Sequence, residues 1–416
     1  MLKNNKQEEK RAPKIMFNSM NCFWQEKSLG ALATFKSGNT PSKSIDSYWN
    51  GDIPWISASS MHTDALFDSD YHISKEAVLN GAKMARPNSL LLLVRGSMLF
   101  NRVPLGKAVT EVAFNQDVKA INSISEVSND FLFYWLKSKE HFLLHMVTGT
   151  GIGAGKLDTD ALKGLSVFYP DTQQQQAIVE FLSAVDKKIS LLKEKHALLE
   201  QYKKGVMQKL FKQKIRFKDD SGNEFPDWQS RRFEEVFVRI TRKNKEDNQN
   251  VLTISAQMGL VNQEKYFNKS VSAKDLTGYY LLESGDFAYN KSYSKGYPMG
   301  AIKRLNNYDK GVVSTLYICF RVVGEQEPLF WEQFFEAGQL NREINKIAQE
   351  GARNHGLLNV SVTEFFSDIE VPVPSRAEQR KIADFLRALD QKLDAVKEQV
   401  ELTQTFKKGL LQQMFV

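Results

Sequence analysis

The sequence of 416 residues lacks the features that would place it in several common classes of protein. Its two cysteines, Cys22 and Cys319, show no C-x-x-C pairing and no metal-ligand cluster around them, so we expect buried or bystander thiols and no metal site. Wholly apolar runs such as residues 90–94 are far shorter than the roughly 20 residues that span a bilayer. Residues 1–14 are polar and lack the apolar stretch of a secretory signal. We therefore expect a cytoplasmic protein without a membrane segment.

The glycine-rich segment GTGIGAGK (149–156) does not meet the requirements of a phosphate-binding loop. The pattern G-x-x-x-x-G-K-[ST] needs glycine where the chain has Thr150, and Ser or Thr where it has Leu157. A dinucleotide-binding pattern G-x-G-x-x-G fails as well, because Ala154 and Lys156 stand where its last glycine is required. The sequence favours a flexible loop here.

Other signatures of catalysis are missing too. His141 and His145 lie one helical turn apart, as metal ligands often do, but the glutamate of H-E-x-x-H is absent and the surrounding pattern is that of an amphipathic helix. No two prolines are adjacent, which excludes the [DN]-P-P-[YF] strand end that holds a flipped base in amino-methyltransferases. The residues thus predict neither a catalytic nor a metal site.

Composition permits a polyanionic partner without identifying one. The chain is 42% apolar and 25% charged, which is ordinary for a soluble protein long enough for two or three domains. Its net charge of +7 and pI of about 9.0 favour contact with phosphates, because lysine and arginine release counterions from nucleic acid. Many basic proteins bind no nucleic acid, so the charge does not decide the function.

A repeat is the strongest positive signal. The decapeptide YKKGVMQKLF (202–211) returns as FKKGLLQQMF (406–415), a displacement of 204 residues. Over the longer segments 170–211 and 374–415, 16 of 42 positions are identical, where composition alone gives roughly two or three. The same displacement relates Trp24 to Trp228. The chain is therefore an internal duplication.

Both repeated segments carry heptad seams, which predict two long helices of about 40 residues. The seam positions are Ile178, Val185, Leu192, Leu199, Val206 and Leu182, Ile189, His196, Lys203, Leu210 in the first segment, and Ile382, Leu389, Val396, Thr403, Leu410 and Leu386, Leu393, Val400, Lys407, Met414 in the second. Two matching rods in one chain favour an intramolecular antiparallel coiled coil. A helix packed on its own domain and a homodimeric coiled coil remain alternatives.

The regions outside the rods have a similar plan but share little sequence. Each has short strands, a glycine-centred turn (103–109 and 297–302) and an aromatic helix (129–147 and 328–347). We predict a mixed α/β (α+β) protein, in which two globular α/β domains are separated by two long antiparallel helices that form an intramolecular coiled coil with a pseudo-twofold internal repeat. The predicted divisions are an N-terminal segment 1–23 packing near the C-terminus, a first domain 24–170, a central helix 171–213, a second domain 214–374 and a C-terminal helix 375–416.

Polar loops with interleaved aromatic residues suit the reading of a DNA groove. Arginine or lysine can bond guanine, Asn or Gln can bond adenine, and serine and lysine can hold phosphates. For any one position a solvated loop residue is the alternative. The candidates are Ser57, Ser59, Ser60, Arg95, Ser97, Asn101, Arg102, Lys107, Asn115 and Gln116 in the first domain, and Ser255, Gln257, Asn290, Lys291, Tyr293, Lys295, Arg353, Asn354 and His355 in the second.

The whole arrangement resembles the specificity (S) subunit of type I restriction-modification systems. The resemblance runs from about residue 13 onward, and its most specific parts are the helix entries at 170–182 and 374–386 with the K-K-G-[VL]-[ML]-Q-x-[LM]-F endings. It implies that each α/β domain is a target recognition domain reading one half of a bipartite double-stranded DNA sequence. It also implies that the paired helices space the two domains and dock methyltransferase subunits.

The resemblance further implies that this chain is not an enzyme. Two modification subunits would carry S-adenosylmethionine, restriction subunits in the full complex would use ATP and Mg, and this chain would bind no cofactor. The main alternative is a coiled-coil scaffold without sequence-specific DNA binding. A free-standing nuclease or methyltransferase is disfavoured by the missing motifs.

Overall fold

The computed structural model describes residues 24–124, 126–151, 153–268, 275–348 and 358–415, and all structural statements below concern these residues. The chain divides into two compact units. The first comprises the chain up to Lys193 together with the segment from Glu398, and the second is Glu194–Lys397. The predicted packing of segment 1–23 lies outside the described residues, and the domain boundaries taken from the sequence stay predictions.

The first unit is rich in short strands. Its strands are β1 (Gln25–Ser28), β2 (Ala33–Ser37), β3 (Ile53–Ile56), β4 (Ala65–Leu66), β5 (His72–Ile73), β6 (Met84–Ala85), β7 (Leu90–Leu93), β8 (Arg95–Gly96), β9 (Leu105–Ala108), β10 (Val112–Phe114), β11 (Val118–Ser123), β12 (Thr148–Gly149), β13 (Gly155–Lys156) and β14 (Ser166–Tyr169). Its helices are α1 (Leu29–Leu32), α2 (Lys75–Leu79), α3 (Asn129–Ser138), α4 (Glu140–His145), α5 (Thr159–Lys163) and α6 (Thr172–Phe211), the last of which continues into the second unit. Short 3₁₀ turns cover Asp46–Tyr48, Ala58–Ser60 and Ser97–Phe100.

A five-stranded sheet in the order β2-β11-β7-β9-β4 forms the centre of the first unit. All four leucines of β7 are fully buried, as expected for a continuous apolar run covered on both faces. Ser128 caps the N-terminus of helix α3, because its side chain accepts a hydrogen bond from the Phe131 amide, and six residues of the helix are buried. The aromatic helix therefore supplies much of the core.

The glycine-centred turn predicted at 103–109 is wrong, because this segment contains β9. The strand pairs with β7 in antiparallel and with β4 in parallel. A Cβ atom on Gly106 would lie 2.7 Å from Cγ of Leu66, so glycine allows the side chain of the neighbouring strand to pack closely. In the second unit the turn exists, and Gly300 with φ +79° ends it.

The second unit repeats the mixed architecture with different sheets. Its strands are β15 (Gln229–Arg232), β16 (Phe237–Arg239), β17 (Leu252–Ser255), β18 (Gly259–Asn262), β19 (Tyr280–Glu283), β20 (Phe287–Asn290), β21 (Ala301–Arg304), β22 (Lys310–Val313), β23 (Ile318–Val322) and β24 (Glu370–Val373). Its helices are α7 (Phe233–Val236), α8 (Gln263–Phe267), α9 (Pro328–Glu336), α10 (Asn341–Ile347), α11 (Val362–Ser367) and α12 (Arg376–Met414), which continues into the first unit. The largest sheet has the order β16-β23-β20-β21.

Phenylalanine rings dominate the core of the second unit. Phe233 stacks on Phe237 with ring centroids 4.2 Å apart and meets Phe320 and Phe365 edge-on at 5.1 and 4.9 Å. All four rings are almost fully buried. This cluster joins α7, β16, β23 and α11 into one core.

The long helices α6 and α12 pack together, as their seams predict. In the first unit, seam residues such as Leu182 and Val185 share a core cluster with Leu410 and Met414. In the second unit, Leu210 shares a cluster with seam residues of α12. The alternatives of a solitary helix and of a homodimer are not needed to bury these seams.

The direction of the pairing follows from two ion pairs. Within the first unit, Asp186 of α6 meets Lys407 of α12 at 2.5 Å. Within the second, Lys203 of α6 meets Asp390 of α12, also at 2.5 Å. Residue numbers rise along one helix as they fall along the other, so the pairing is antiparallel.

The duplication extends to individual atoms. Strand β1 pairs with β14 from Gln25↔Tyr169, and β15 pairs with β24 from Gln229↔Val373, so the two registers match at the displacement of the sequence repeat. The partner residues at the helix entries also match. The amide nitrogens of the buried Gln175 and Gln379 donate to the carbonyls of Pro170 and Pro374, each at 2.9 Å.

Candidate nucleic-acid interface

Three of the four serine candidates of the first unit, Ser57, Ser59 and Ser60, form one compact turn after β3. Ser57 precedes the 3₁₀ turn Ala58–Ser60, and its hydroxyl lies 2.9 Å from that of Ser59. The Ser60 hydroxyl lies 3.0 Å from the Ser69 hydroxyl, which in turn donates to the carbonyl of Trp55. Ser59 is exposed, so this turn presents hydroxyl groups at the surface while its partners fix its shape.

Arg95, Ser97 and Asn101 are exposed on β8 and the 3₁₀ turn that follows it. No hydrogen bond or ion pair joins the Arg95 side chain to another described residue. Arg102 differs, because its guanidinium donates to the carbonyl of Met61 at 2.7 Å. Arg95 is therefore the candidate arginine of this unit that is free to bind an external group.

The remaining candidates of the first unit are engaged with their own domain. Lys107 pairs with Asp130 and lies 5.6 Å from the centre of the Phe133 ring, so its charge is already compensated. Asn115 is only 8% exposed, and its side-chain oxygen accepts from a backbone amide two residues on. Gln116 is exposed and accepts a hydrogen bond from the Thr40 hydroxyl.

In the second unit the structure brings four candidates together after β20. Asn290 ends the strand, and its side-chain oxygen accepts from the amide of Ser292, which shapes the loop containing Lys291, Tyr293 and Lys295. Tyr293 is 57% exposed and Lys295 is exposed. An exposed ring beside lysines is suited to contact with a sugar-phosphate chain.

The other candidates of the second unit lie elsewhere. Ser255 is buried at the end of β17 and accepts from the Met258 amide, whereas Gln257 is exposed in the turn of the β17–β18 hairpin. Arg353, Asn354 and His355 lie outside the described residues. The structure thus places Gln257 and the loop after β20 at the surface, and it places Ser255 inside.

One cation that sequence reasoning did not select is Lys156. Strands β13 and β8 pair so that Lys156 stands directly opposite Arg95. In the sequence, Lys156 stands only at the end of a glycine-rich segment that lacks the phosphate-loop pattern. The strand pairing that brings it to Arg95 joins residues about 60 positions apart. Strands β8 and β13 have only two residues each, so no alternation of polar and apolar residues in the sequence indicates that they pair.

The described residues contain no cluster of three or more groups able to hold a metal ion. The rings of His141 and His145 lie edge to face with centroids 4.6 Å apart on α4. Cys319 is buried in β23, and burial raises the pKa of its thiol to about 12, so it is an unreactive core residue. Among the described helices, none has both the length and the apolar character needed to cross a membrane.

In each unit, an aspartate of a long helix accepts a hydrogen bond from the aromatic helix. The Tyr134 hydroxyl of α3 donates to Asp186 at 2.9 Å, and Asp186 also pairs with Lys407. In the second unit the Gln333 amide of α9 donates to Asp390 at 2.9 Å. Burial, followed by the nearby carboxylate, raises the pKa of Tyr134, so its hydroxyl remains a donor at neutral pH.

Comparisons with known proteins agree with the internal duplication of the chain. The family model of the type I restriction modification DNA specificity domain matches the chain twice, at residues 23–201 and 226–404. A type I restriction enzyme specificity subunit of Escherichia coli is 31% identical over 162 residues, which are 38% of this chain and only 40% of that protein. A specificity subunit of Methanocaldococcus jannaschii is 25% identical over 414 residues, covering 93% of this chain and 91% of the relative.

A solved structure shows the same fold over nearly the whole chain. The crystal structure of the S subunit of a type I restriction-modification system from M. genitalium aligns with a TM-score of 0.56 and 18% identity, covering 98% of this chain and 99% of that one. The two family matches together span well over half of the sequence, and they coincide with the two units and the helices that run through them. The chain belongs to the type I restriction-modification DNA specificity family.

Proposed function

We propose that this chain is the DNA-recognition subunit of a type I restriction-modification complex. Each unit reads one half of an asymmetric, bipartite double-stranded target, and the paired helices set the spacing between the halves. The observation that supports this most directly is the double match to a DNA specificity domain, with the two long helices joined to each other in each unit by equivalent aspartate–lysine pairs.

The two units differ in the loops that would contact DNA bases. The helix entries, their buried glutamines and their ion pairs are repeated, whereas the loops differ in residue type. After the shared stretch Ile-Ser-Ala, the first unit continues with Ser59 and Ser60, whereas the second continues with Gln257 and Met258. An asymmetric target requires two domains of similar fold whose loops carry different side chains, because different side chains recognise different base edges.

The chain directs chemistry that its partners perform. Two modification subunits bind S-adenosylmethionine and methylate adenine in each half-site, and restriction subunits use ATP and Mg to cleave unmodified DNA. This chain itself binds no cofactor and is not catalytic, and the complex works in the cytoplasm. The absence of catalytic motifs from the sequence supports this division of labour.

The test is co-expression with the modification subunit, followed by genome-wide mapping of N6-methyladenine. We expect methylation at one asymmetric bipartite motif, and none when the modification subunit is expressed without this chain. Exchanging residues 214–374 for the corresponding region of a relative should change one half of the motif and leave the other intact. Sequence-indifferent DNA binding by the complete complex, as a scaffold would show, contradicts the proposal.

A further inference from the structure

Strands β12 and β13 form a hairpin in the glycine-rich segment, of which the structure describes residues 148–151 and 153–156. Strand β12 pairs with β13 through Thr148↔Lys156 and Gly149↔Gly155, and β13 pairs in turn with β8 through Lys156↔Arg95. Thr148, Lys156 and Arg95 therefore form one row across a three-stranded sheet. Residues paired across antiparallel strands project from the same face, so all three side chains point the same way.

This row places two cations side by side. Directly opposed residues in an antiparallel pair have Cβ atoms about 4.5–5.5 Å apart, and like charges there repel each other. Lys156 lies 3.9 Å from Asp158, an exposed and loose pair, and the Arg95 guanidinium has no partner among the described residues. An anion bound over this face would lie against both cations and reduce their mutual repulsion.

The base of the hairpin is fixed, whereas its tip is open. A Cβ atom on Gly155 would lie 2.8 Å from Val147 and 2.9 Å from Leu99, so the base packs tightly against the domain. At Gly149 and Gly151 a Cβ atom would meet nothing within 4 Å. The Thr150 amide and hydroxyl both donate to the Ala154 carbonyl, at 2.7 and 2.8 Å, and hold the turn closed.

We propose that this hairpin, with Arg95 and Lys156 at its base, binds the phosphodiester backbone of duplex DNA and positions the first unit on its half-site. The inference rests on the proposed function and deepens it by assigning Arg95, one of the candidate groove-reading residues, to backbone contact together with Lys156. Glycines allow the main chain to approach a polyanion closely, and the two cations neutralise neighbouring phosphates.

The first test replaces the cations in the complex assembled with modification subunits. Arg95→Gln and Lys156→Gln, singly and together, should weaken binding to the methylation motif and to unrelated duplex by the same factor. The slope of log K against log salt should become shallower by about 0.9 for each cation removed. The methylated motif should stay unchanged. Lys75→Gln, at an exposed lysine of α2 in the same unit, is the matched control and should leave the slope unaltered.

The second test adds a methyl group without changing charge. Gly149→Ala and Gly151→Ala meet no atom of the protein, so the melting temperature should not change, whereas DNA affinity should fall several-fold. Gly164→Ala, whose Cβ would make only an ordinary 3.4 Å contact with the Ala161 carbonyl, is the control for a glycine that does not face DNA.

The outcomes separate the two proposals. Unchanged affinity and salt slope in all variants overturns the hairpin proposal, and so does a motif relaxed at one base position, because that indicates base readout. Loss of assembly with the modification subunit, seen by size-exclusion chromatography, would assign the hairpin to a protein partner and also overturns it. If the wild-type complex methylates no specific motif, the proposed function fails first, independently of these variants.

Discussion

Asp186 and Lys407 lie 2.5 Å apart although 221 residues separate them in the chain, and Asp390 and Lys203 form the same pair in the other unit. Both lysines occupy seam positions where a coiled coil normally has an apolar residue. Their side chains are only 14% exposed, so each charge depends on its aspartate. The polar interruptions of the two seams therefore fix which turn of α6 faces which turn of α12.

Replacing Lys407 by Met should destabilise the first unit. The change leaves the partly buried carboxylate of Asp186 with the Tyr134 hydroxyl as its remaining donor, and we expect a loss of roughly 1–3 kcal/mol in the free energy of unfolding. Adding Asp186→Asn to this variant should restore part of the lost stability, because a partly buried amide without a partner destabilises the fold less than a carboxylate without one. Urea unfolding measures both, with the neighbouring exposed Lys408→Met as control. Equal stability of the Lys407 and Lys408 variants would show that the pair contributes nothing.

Lengthening both helices should change the spacer of the DNA target. Four residues inserted after Lys193 and four after Lys397, where α6 and α12 pass from one unit to the other, add about 6 Å to each helix. Since base pairs rise about 3.4 Å, methylation mapping should show a spacer longer by about two base pairs and unchanged half-sites. An insertion in α6 alone should instead disrupt assembly, because the seams then lose register. A spacer that stays the same in the doubly extended chain would refute the spacing role of the helices.

Truncating Phe233 to Ala should strongly destabilise the second unit. The ring is fully buried at the centre of the phenylalanine cluster, and its removal leaves a cavity between α7, β23 and α11. The expected loss is about 3–5 kcal/mol in the free energy of unfolding, measured by urea titration. Phe267→Ala, at a ring that is 44% exposed, should cost less than about 1 kcal/mol. Similar losses for both variants would mean that the cluster is not the stabilising core.

The arginine–carboxylate network of the second unit should make stability depend on pH. Hydrogen bonds from Arg321 and Arg242 hold the pKa of Glu283 below its usual value of 4.5. A lowered folded pKa means that the stabilisation is fully present above the unfolded pKa and is lost as pH falls through the folded value. Glu283→Gln should therefore flatten the decline in melting temperature as the pH falls below about 4.5. Glu264→Gln, at an exposed carboxylate of α8, should retain the wild-type slope.

The long-range frame was accessible from the sequence because repetition and periodicity are strong signals. The displacement of 204 residues predicts the matching strand registers and the paired helices, since equal sequences fold into equal local structures. The heptad rows identify both lysines that the structure pairs with aspartates. Physical periodicity over five heptads leaves little room for another fold.

The details of the loops were not accessible in the same way. Gly106 was predicted to mark a turn, but the space it leaves is filled by Leu66, a contact that depends on a strand 40 residues earlier. Lys107 was selected as a DNA ligand from its type, whereas Asp130 compensates its charge. Lys156 was passed over because its opposition to Arg95 arises only from strand pairing. The sequence shows the type of each residue, whereas the tertiary structure determines which residues it contacts.

The first unit is completed by residues that are synthesised long after the rest of it. Leu410, Leu411, Met414 and Phe415 belong to its core cluster, and Phe415 packs on Phe131 with ring centroids 5.4 Å apart. At about 5–20 residues per second, the ribosome needs roughly 10–40 s after Lys193 to make this closing segment. During that interval the apolar residues of α6 and Phe131 of α3 lack their contacts with the C-terminal residues of α12. The core of the first unit is therefore complete only after the C-terminal part of α12 has been translated, whereas the second unit is contiguous in the chain.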